Sequence, residues 1–419
     1  MGIMAQQETI RAGYKQTEVG VIPEGWDILS LGAVCDVRDG THESPRFFRQ
    51  GVPFVTSKNI IDGRLDLKNV SYISEQDAAE FNRRSQVDRN DILMSMIGTI
   101  GSAVLVDQKP TFCIKNVALI KPQQIDPEFL IQLIKSPQFQ EYLASSLEGG
   151  IQKFVALGTL RQLAIPAPKL PEQHAIAKAL GDVDDLIGAL DQLIGKKRDL
   201  KQTAMQQLLT GKERLPGFHS KWDDCQIRDI ADVKTGPFGS SLHERDYVND
   251  GTPIITVEHL DEFGVLHSNL PMVSEADRQR LKAYALEEDD IVFSRVGSID
   301  RNALIRSAEV GWLFSGRLLR LRLDRKKVFA PYLSYQFHGE VFKSRVRSVA
   351  VGQTMPSLNT QILNGIDVVL PPLSEQTAIA AVLSDMDAEI TALEKRRDKT
   401  HTLQQGMMQE LLTGKIRLI

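Results

Sequence analysis

Residue types that could support catalysis occur in this chain without the spacing that catalysis requires. The three cysteines, Cys35, Cys113 and Cys225, show no metal-ligand spacing. The sequence has no His-Glu-x-x-His pair, no Gly-x-Gly-x-x-Gly after a strand, and no phosphate-binding loop of the Walker type. It also lacks the Asn/Asp-Pro-Pro-aromatic sequence typical of amino-methyl transfer. We therefore expect that the chain is not an enzyme and binds no metal or cofactor itself.

Two pairs of adjacent carboxylates are the remaining candidates for acid-base chemistry. Asp184-Asp185 falls within a predicted helix, and Asp289-Asp290 falls just before a predicted strand. A solvated helix face explains the first pair and a turn explains the second, so neither pair indicates an active site.

Length and composition indicate a multidomain globular protein. The 419 residues exceed one ordinary core, while 42% hydrophobic and 25% charged residues are typical globular values. No apolar stretch is long enough to span a membrane, and residues 1–20 are polar and mixed in charge, unlike a signal peptide. Three cysteines that cannot all pair suit a reducing compartment. We expect a cytoplasmic protein.

The formal net charge of −4 argues against a simple basic DNA-binding domain, but the charge is segregated along the chain. Residues 216–294 hold 7 Lys/Arg against 16 Asp/Glu, whereas residues 295–347 hold 12 Lys/Arg against 4 Asp/Glu. A solvated surface and a polyanion-binding face explain this segregation equally well.

An internal duplication at a spacing close to 200 residues is the strongest signal in the sequence. Residues 172–215 align without a gap with residues 375–418, and 23 of the 44 positions are identical. The preceding regions repeat more faintly; for example, Trp26 matches Trp222 and Asp91 matches Asp290. The order is variable region, shared segment, variable region, shared segment.

Each shared segment predicts a long amphipathic helix. Apolar residues recur at alternating steps of 3 and 4, which is a heptad pattern, and the pattern loses phase at Lys197 and Arg397 and resumes at Leu200 and Leu403. Neither helix can bury its apolar stripe alone in water, so we expect the two to pair. Because one helix leaves the first variable region and the other leaves the second, the pair must be antiparallel.

The variable regions mix short strands and helices. Ile92–Met96 and Ala103–Val106 flank a Gly-containing turn, and Pro137 interrupts a helix that begins at Pro127. Residues 331–346 predict one helix. The fold class is therefore α+β, with two mixed α/β domains separated by an antiparallel coiled coil in an internal pseudo-two-fold repeat. The predicted boundaries are 1–170, 171–215, 216–371 and 372–419, where the second and fourth segments are the spacer helices.

Over almost its whole length the chain resembles the specificity subunit of Type I restriction-modification enzymes. The residues that carry this resemblance are Tyr14 to Trp26 and Asp39-Gly40-Thr41-His42 in the first region, Gly236 to Leu242 and Asp290 to Gly297 in the second, the Pro-x-Leu-x-Glu-Gln junctions, and the Leu-Leu-Thr-Gly-Lys endings. One departure is visible, because Met96 stands where the second region has Arg295.

The resemblance implies a non-catalytic subunit with two target-recognition domains, each of which reads one half of a bipartite, interrupted DNA site. It implies that the helices set the gap between the half-sites and dock two modification (methyltransferase) subunits, which are joined by restriction (translocase/nuclease) subunits. S-adenosylmethionine, ATP and Mg²⁺ are then expected on those partners and not on this chain. A coiled-coil protein-interaction adaptor with no DNA role is the alternative.

Phosphates are contacted by Lys, Arg, Ser and Thr, and base edges by Arg, Lys, Asn and Gln. On that basis the candidate DNA-binding residues of the first domain are Thr41, His42, Lys58, Asn59, Arg83, Arg84, Lys115, Asn116, Gln152 and Lys153. Those of the second domain are Ser240, Ser241, His259, Arg295, Arg317, Arg320, Gln353 and Thr354. Each could equally be a solvated surface residue or a turn residue.

Overall fold

The computed structural model describes residues 11–61, 63–148, 153–237, 246–261, 264–350 and 356–419. It divides into two compact units. Unit 1 comprises residues 1–191 and 395–419, and unit 2 comprises residues 192–394. Each unit thus takes one variable region together with parts of both shared segments.

The first variable region forms one four-stranded sheet, one three-stranded sheet and several two-stranded sheets, together with short helices. Its elements are β1 (Tyr14–Thr17), β2 (Gly20–Pro23), β3 (Asp27–Ser30), α1 (Leu31–Val34), β4 (Cys35–Asp39), β5 (Val52–Val55), β6 (Ile60–Ile61), β7 (Arg64–Leu65), β8 (Ser71–Ile73), α2 (Glu75–Ser85), β9 (Ile92–Ser95), β10 (Ala103–Leu105), β11 (Cys113–Ile114), β12 (Val117–Pro122), α3 (Pro127–Lys135), α4 (Pro137–Ser145), α5 (Leu157–Gln162) and β13 (Ala164–Ala167). The long helix α6 (Leu170–Leu208) follows.

The second variable region repeats this plan. Its elements are β14 (Asp223–Gln226), β15 (Ala231–Thr235), β16 (Tyr247–Val248), β17 (Thr252–Ile255), β18 (Leu260–Asp261), β19 (Gly264–Val265), β20 (Met272–Val273), α7 (Glu275–Arg280), β21 (Ile291–Ser294), β22 (Asn302–Leu304), β23 (Leu313–Phe314), β24 (Leu318–Leu323), α8 (Ala330–His338), α9 (Glu340–Val349), α10 (Thr360–Asn364) and β25 (Asp367–Leu370). The second long helix is α11 (Leu373–Leu411).

The sheets of the two units have the same topology. In unit 1 the strand order is β10-β9-β12-β4, and in unit 2 it is β22-β21-β24-β15. A second sheet has the order β11-β5-β8 in unit 1 and β23-β17-β20-β16 in unit 2, where β16 is an added edge strand; each of these sheets has one parallel pair. The faint repeat in the variable regions is therefore a duplicated fold.

Each unit has a large core between its four-stranded sheet and the helices. In unit 1 this core contains Trp26 and Phe129, both fully buried, and receives Met408 and Leu411 from α11. In unit 2 it contains Tyr332 and receives Met205 and Leu208 from α6. The seam residues thus bury themselves against the sheet domains as well as against the neighbouring helix.

The long helices run antiparallel within each unit. In unit 1, Asp184 accepts a hydrogen bond from Gln404, and seven residues further along α6 Asp191 lies 3.5 Å from Arg397. In unit 2, Lys197 lies 2.6 Å from Glu389, and Lys201 lies 2.7 Å from Asp387. Because partner numbers fall on α11 as they rise on α6, the expected antiparallel pairing is confirmed, and with it the α+β fold class.

The heptad seam continues where the sequence indicated a loss of phase. Lys201 and Gln404 are buried at seam positions, whereas Leu200 and Leu403 are 56% and 60% exposed. The expectation that the seam resumes at Leu200 and Leu403 was therefore wrong. Polar pairs hold the seam at these points because each buried polar group finds a partner on the facing helix.

The same residues join helix to domain in both units. Glu172, which is 2% exposed, accepts a hydrogen bond from the Trp26 indole at 3.0 Å and pairs with Arg417. In unit 2 the matching Glu375, Trp222 and Arg214 make the same contacts, with Arg214 binding both carboxylate oxygens at 2.5 and 2.6 Å. The repeated Glu-Gln, tryptophan and Lys-x-Arg sequences are thus one junction seen twice.

Local sequence signals predicted the start of α4 and the ends of the long helices α6 and α11, but not the break between α8 and α9. Pro137 begins α4 after the cap residue Ser136, as expected for a proline at the first helical position. Residues 331–346 do not form the single predicted helix, because Gly339 adopts extended backbone and separates α8 from α9. Gly211 and Gly414, at φ +68° and +69°, lie just past the two long helices, where the left-handed region favours glycine.

Candidate nucleic-acid interface

In unit 1 a polar group gathers where β4 ends, centred on the Asp39 carboxylate. One carboxylate oxygen of Asp39 accepts a hydrogen bond from the Arg84 guanidinium on α2. The other lies 2.7 Å from Nε2 of His42, whose Nδ1 lies 2.7 Å from Oδ1 of Asn116. Asp39 is 8% exposed, whereas the side chains of His42 and Arg84 are 64% and 67% exposed. A buried carboxylate therefore orients two exposed side chains that can donate hydrogen bonds.

The backbone around this group is tightly packed. A Cβ atom at Gly40 would lie 2.6 Å from the carbonyl oxygen of Ile114, so only glycine allows the two chain segments to approach this closely. Thr41 and Lys115 form a parallel bridge next to it. Asn116 has a φ of +50°, in the left-handed region that asparagine tolerates better than most residues. The local geometry therefore fixes where Thr41, His42 and Asn116 lie.

Lys58 is exposed next to the same group. Its neighbour Ser57 is tied there, since the Ser57 hydroxyl donates to the carbonyl of Asn116 at 3.3 Å. Arg83 is exposed on α2 beside Arg84. Lys153 is exposed at a different place, beside Phe154, which bridges to Ile97 in the turn after β9. The structure thus brings most of the candidates of the first domain together and leaves Lys153 apart.

In unit 2 the candidates Arg295 and Arg317 are neighbours. The amide of Arg295 donates to the carbonyl of Arg317 at 2.9 Å, and Nε of Arg295 donates to the carbonyl of Leu358 at 3.1 Å. Arg317 is exposed and occupies the position that Asn116 occupies in unit 1. Arg295 holds the hairpin turn to the segment before α10, a contact that the buried Met96 of unit 1 cannot make.

Thr41 is 9% exposed, and its hydroxyl accepts a hydrogen bond from the amide of Glu43 at 3.1 Å. Three further candidates are buried and engaged inside their own unit. Asn59 and His259 occupy equivalent places, and each lies within hydrogen-bond distance of the backbone amide and hydroxyl of the threonine three residues before it. They are 6% and 3% exposed. Arg320 is 3% exposed, pairs with Asp232, and has its pKa lowered by burial. The structure presents none of these three side chains at the surface.

Arg320 stands where unit 1 has Leu119 in the matching strand, which explains why an alternating Arg-Leu pattern did not reveal its burial. Both positions face a second, smaller core beneath the four-stranded sheet. A strand that is buried on both faces reads alike from sequence whether a paired arginine or a leucine fills the site.

Five candidates lie outside the described residues, namely Gln152, Ser240, Ser241, Gln353 and Thr354. The sequence reasoning did not identify Asp39 as the organising group of unit 1. The signal that could have found it is the polar string Asp-Gly-Thr-His, in which the acid and the imidazole are three residues apart.

Within the ranges given above, no group of three or more His, Cys, Asp or Glu side chains is arranged to hold a metal ion. Asp184 is not on a solvated face, since it accepts hydrogen bonds from Gln132 at 2.6 Å and from Gln404. Asp290 is 1% exposed and pairs with Arg322 at 2.7 Å, so both acid pairs contribute a structural carboxylate. No helix among the described residues is both long and apolar enough to cross a membrane.

Comparison with known proteins places these observations in a family. The family model described as Type I restriction modification DNA specificity domain matches twice, at residues 23–196 and 219–400. The chain is 22% identical to the Type I restriction enzyme MjaVIII specificity subunit of Methanocaldococcus jannaschii, over 95% of this chain and 94% of that protein. It is 23% identical to the Type I restriction enzyme StySPI specificity subunit of Salmonella potsdam, over 95% and 90%.

A solved structure shares the fold. The S subunit of the Type I restriction-modification system from M. genitalium superposes with a TM-score of 0.59 at 18% identity, over 92% of this chain and 96% of that chain. The architecture of duplicated domains and long helices is therefore one that occurs in a solved specificity subunit.

Proposed function

Because the chain belongs to the Type I restriction-modification DNA specificity family, we propose that it selects the DNA sequence on which a restriction-modification complex acts. Each unit reads one half of a bipartite, interrupted site. The coiled-coil adaptor alternative loses its basis, since the family model covers both variable regions and not the helices alone.

The observation that carries this proposal is the repetition of one scaffold with different surface residues. Units 1 and 2 share the order of the four-stranded sheet and the helix junctions, yet the half-buried Asn116 in one corresponds to the exposed Arg317 in the other. Two copies of a reader that differ at such polar positions recognise two different half-sites, because base edges are distinguished by the donors and acceptors that reach them.

In unit 1 we assign DNA contact to the exposed and half-buried members of the polar group around Asp39. His42, Arg84 and Lys115 supply donors, and Asn116 supplies an amide of the type that pairs with adenine. Asp39 orients two of them in advance, so less side-chain freedom is lost on binding. Lys58 and Arg83, exposed nearby, suit phosphate contact.

In unit 2 we assign the same role to Arg317 and to the turn that Arg295 secures. Asn59, His259 and Arg320 are left out of the contact surface because each side chain is buried and has a partner within its own unit. Asn59 and His259 stabilise the turns that follow β5 and β17.

We further propose that the chain carries out no chemistry of its own. Its relatives are named specificity subunits. S-adenosylmethionine, ATP and Mg²⁺ are then bound by the two modification subunits and by the restriction subunits. The complex acts in the cytoplasm. With a net charge of −4, the isolated chain binds DNA weakly, and the modification subunits add phosphate contacts.

The paired helices are the element that sets the gap between half-sites. Each has 39 residues, hence a length of about 58 Å at 1.5 Å per residue, which exceeds the roughly 34–36 Å of one DNA turn. The seam fixes their register through partners such as Asp184 with Gln404.

A paired deletion tests this proposal. Removing residues 185–191 from α6 and the facing residues 397–403 from α11 takes out one heptad from each helix and keeps the seam in phase. Seven residues span about 10.5 Å, so the recognised gap is expected to shorten by about three base pairs at roughly 3.4 Å each. The measurement is sequencing of methylated sites after expression with the modification subunits. An unchanged gap with both half-sites retained contradicts the role of the helices.

The DNA role itself is tested by a gel shift of the complex at increasing salt. Affinity that falls steeply with salt and depends on the base sequence of both half-sites is expected. Binding that is absent or indifferent to sequence contradicts the proposed function.

A further inference from the structure

The loop of residues 41–51 in unit 1, here called the aromatic loop, exposes two adjacent phenylalanine rings. Phe47 is 56% exposed and Phe48 is 44% exposed, and exposed arginines, Arg46 and Arg49, stand on either side. Single exposed apolar residues are ordinary on a protein surface, but paired aromatic rings bracketed by cations are not expected from solvation alone.

The ends of the aromatic loop are tied to neighbouring strands. At its start Thr41 bridges to Lys115, and the Lys115 ammonium donates to the hydroxyl of Ser44 at 2.7 Å. Near its end the amide of Phe48 donates to the carbonyl of Tyr72 at 2.9 Å. The loop is therefore held from both sides.

Each of the two rings contacts another side chain. The centroid of Phe47 lies 6.4 Å from that of Phe54, which is 1% exposed and stacks on Phe81. The guanidinium of Arg46 lies 5.7 Å from the centroid of Phe48. The exposed ring of Phe47 is thus presented in one place, which lowers the ordering cost of a contact.

The aromatic loop is continuous in the chain with the polar group around Asp39. Asp39 lies two residues before the loop begins, and His42, which binds Asp39, is the second residue of the loop. Lys115 joins the loop at Ser44 and precedes Asn116, the other partner of His42. The exposed rings therefore belong to the same loop that presents His42.

We infer that Phe47 contacts the base pairs of one DNA half-site directly, while Arg46 and Arg49 contact flanking phosphates. This inference rests on the proposed function and adds an apolar contact to the polar contacts that His42 offers from the same loop. Phenylalanine recognises a base pair by apolar contact, such as that with the thymine methyl group.

The charge of the loop favours a nucleic acid over a protein partner. Two arginines stand beside the rings against one acidic residue, Glu43, so the surface around Phe47 carries a positive balance that attracts a phosphate backbone. The alternative is that a partner protein binds the same two rings. Phe47→Ala distinguishes the alternatives, because loss of a protein contact weakens recruitment without changing base discrimination.

The test compares the wild-type complex, formed with its modification subunits, with the variant Phe47→Ala. Methylation rates are measured on duplexes in which each base pair of both half-sites is changed in turn. The wild type is expected to lose rate on changes in both half-sites. The variant is expected to methylate the unchanged site roughly tenfold more slowly and to lose discrimination at one or two positions of a single half-site.

The control is Ile61→Ala. Ile61 belongs to the same unit, lies outside the aromatic loop and is 50% exposed. This variant should have the methylation rate and the base discrimination of the wild type. A Phe47→Ala profile identical to the wild type, a change in both half-sites, or weaker recruitment of the modification subunits with discrimination intact would each overturn the inference. Absence of base discrimination by the wild-type complex would instead count against the proposed function.

Discussion

The buried pair of Lys201 and Asp387 offers a quantitative test of how the helices are held together in unit 2. The Lys201 side chain is 7% exposed and lies 2.7 Å from Asp387, which also accepts a hydrogen bond from the Tyr335 hydroxyl at 2.7 Å. Lys201→Met keeps most of the apolar stem but removes the ammonium group. Asp387 then remains in the seam with one of these two partners.

Removal of one partner from a buried ion pair costs about 3–5 kcal/mol. Asp387 is 18% exposed and keeps the Tyr335 hydrogen bond, so we expect a loss at or below the lower end, about 2–3 kcal/mol. The free energy of unfolding is measured by urea denaturation followed by circular dichroism. Hydrogen exchange of the peptides from residues 192–208 and 373–394 should accelerate by about 30- to 150-fold.

Two further variants make this prediction refutable. Lys178→Met removes a cation from an exposed pair with Asp182 and should cost about 0.5 kcal/mol or less. Adding Asp387→Asn to Lys201→Met should recover part of the loss, because a neutral amide still accepts from Tyr335 without leaving a buried charge. A Lys201→Met variant within about 0.5 kcal/mol of the wild type, or a Lys201→Met/Asp387→Asn variant no more stable than Lys201→Met alone, would refute the reasoning.

Burial, close packing and charge give three other predictions. Burial raises the pKa of Cys35 to about 12 and that of Cys113 to about 11, so at about pH 8 both thiols should react with iodoacetamide at least roughly a hundredfold more slowly than in urea, as mass spectrometry can show. Gly40→Ala should lower the free energy of unfolding by about 1–3 kcal/mol, because its Cβ would meet a backbone carbonyl; an unchanged thermal midpoint contradicts this. The Arg278 guanidinium beside Glu275 lowers the pKa of that carboxyl to about 2, so its stabilising contribution is present above its ordinary value of 4.5. The stability difference between wild type and Glu275→Gln should therefore shrink as pH falls from 4.5 toward 2, which urea titrations at each pH can measure.

Sequence reasoning was most successful for the long helices, where a residue type at a given position favours one local structure. The heptad spacing and the glycines Gly211 and Gly414 after α6 and α11 act over a few neighbouring residues, and the duplicated Glu-Gln junction marks the same contact in both units. The single helix expected over residues 331–346 was wrong because the extended backbone at Gly339 lets α8 and α9 pack separately.

The candidate interface could be predicted only in outline. His42, Arg84 and Asn116 were identified as candidates, but the Asp39 carboxylate that organises them was not. Arg84 is 45 residues from Asp39 in sequence, and Asn116 is 74 residues from His42, so no local pattern links them. Side-chain polarity alone also could not separate the exposed Arg317 from the buried Arg320, since exposure depends on what the rest of the sheet packs against each strand face.

The amino-acid sequence by itself determined the duplication, the antiparallel direction of the long helices and the family, since these depend on repetition, periodicity and chain order. Only the tertiary structure decided that Lys201 and Gln404 continue the seam. It also decided that Asn59 and His259 are buried against the threonine three residues before each, and that Phe47 is exposed on the aromatic loop. The physical reason is that burial of a polar group is favourable only when a partner distant in sequence satisfies it, and folding alone brings that partner near.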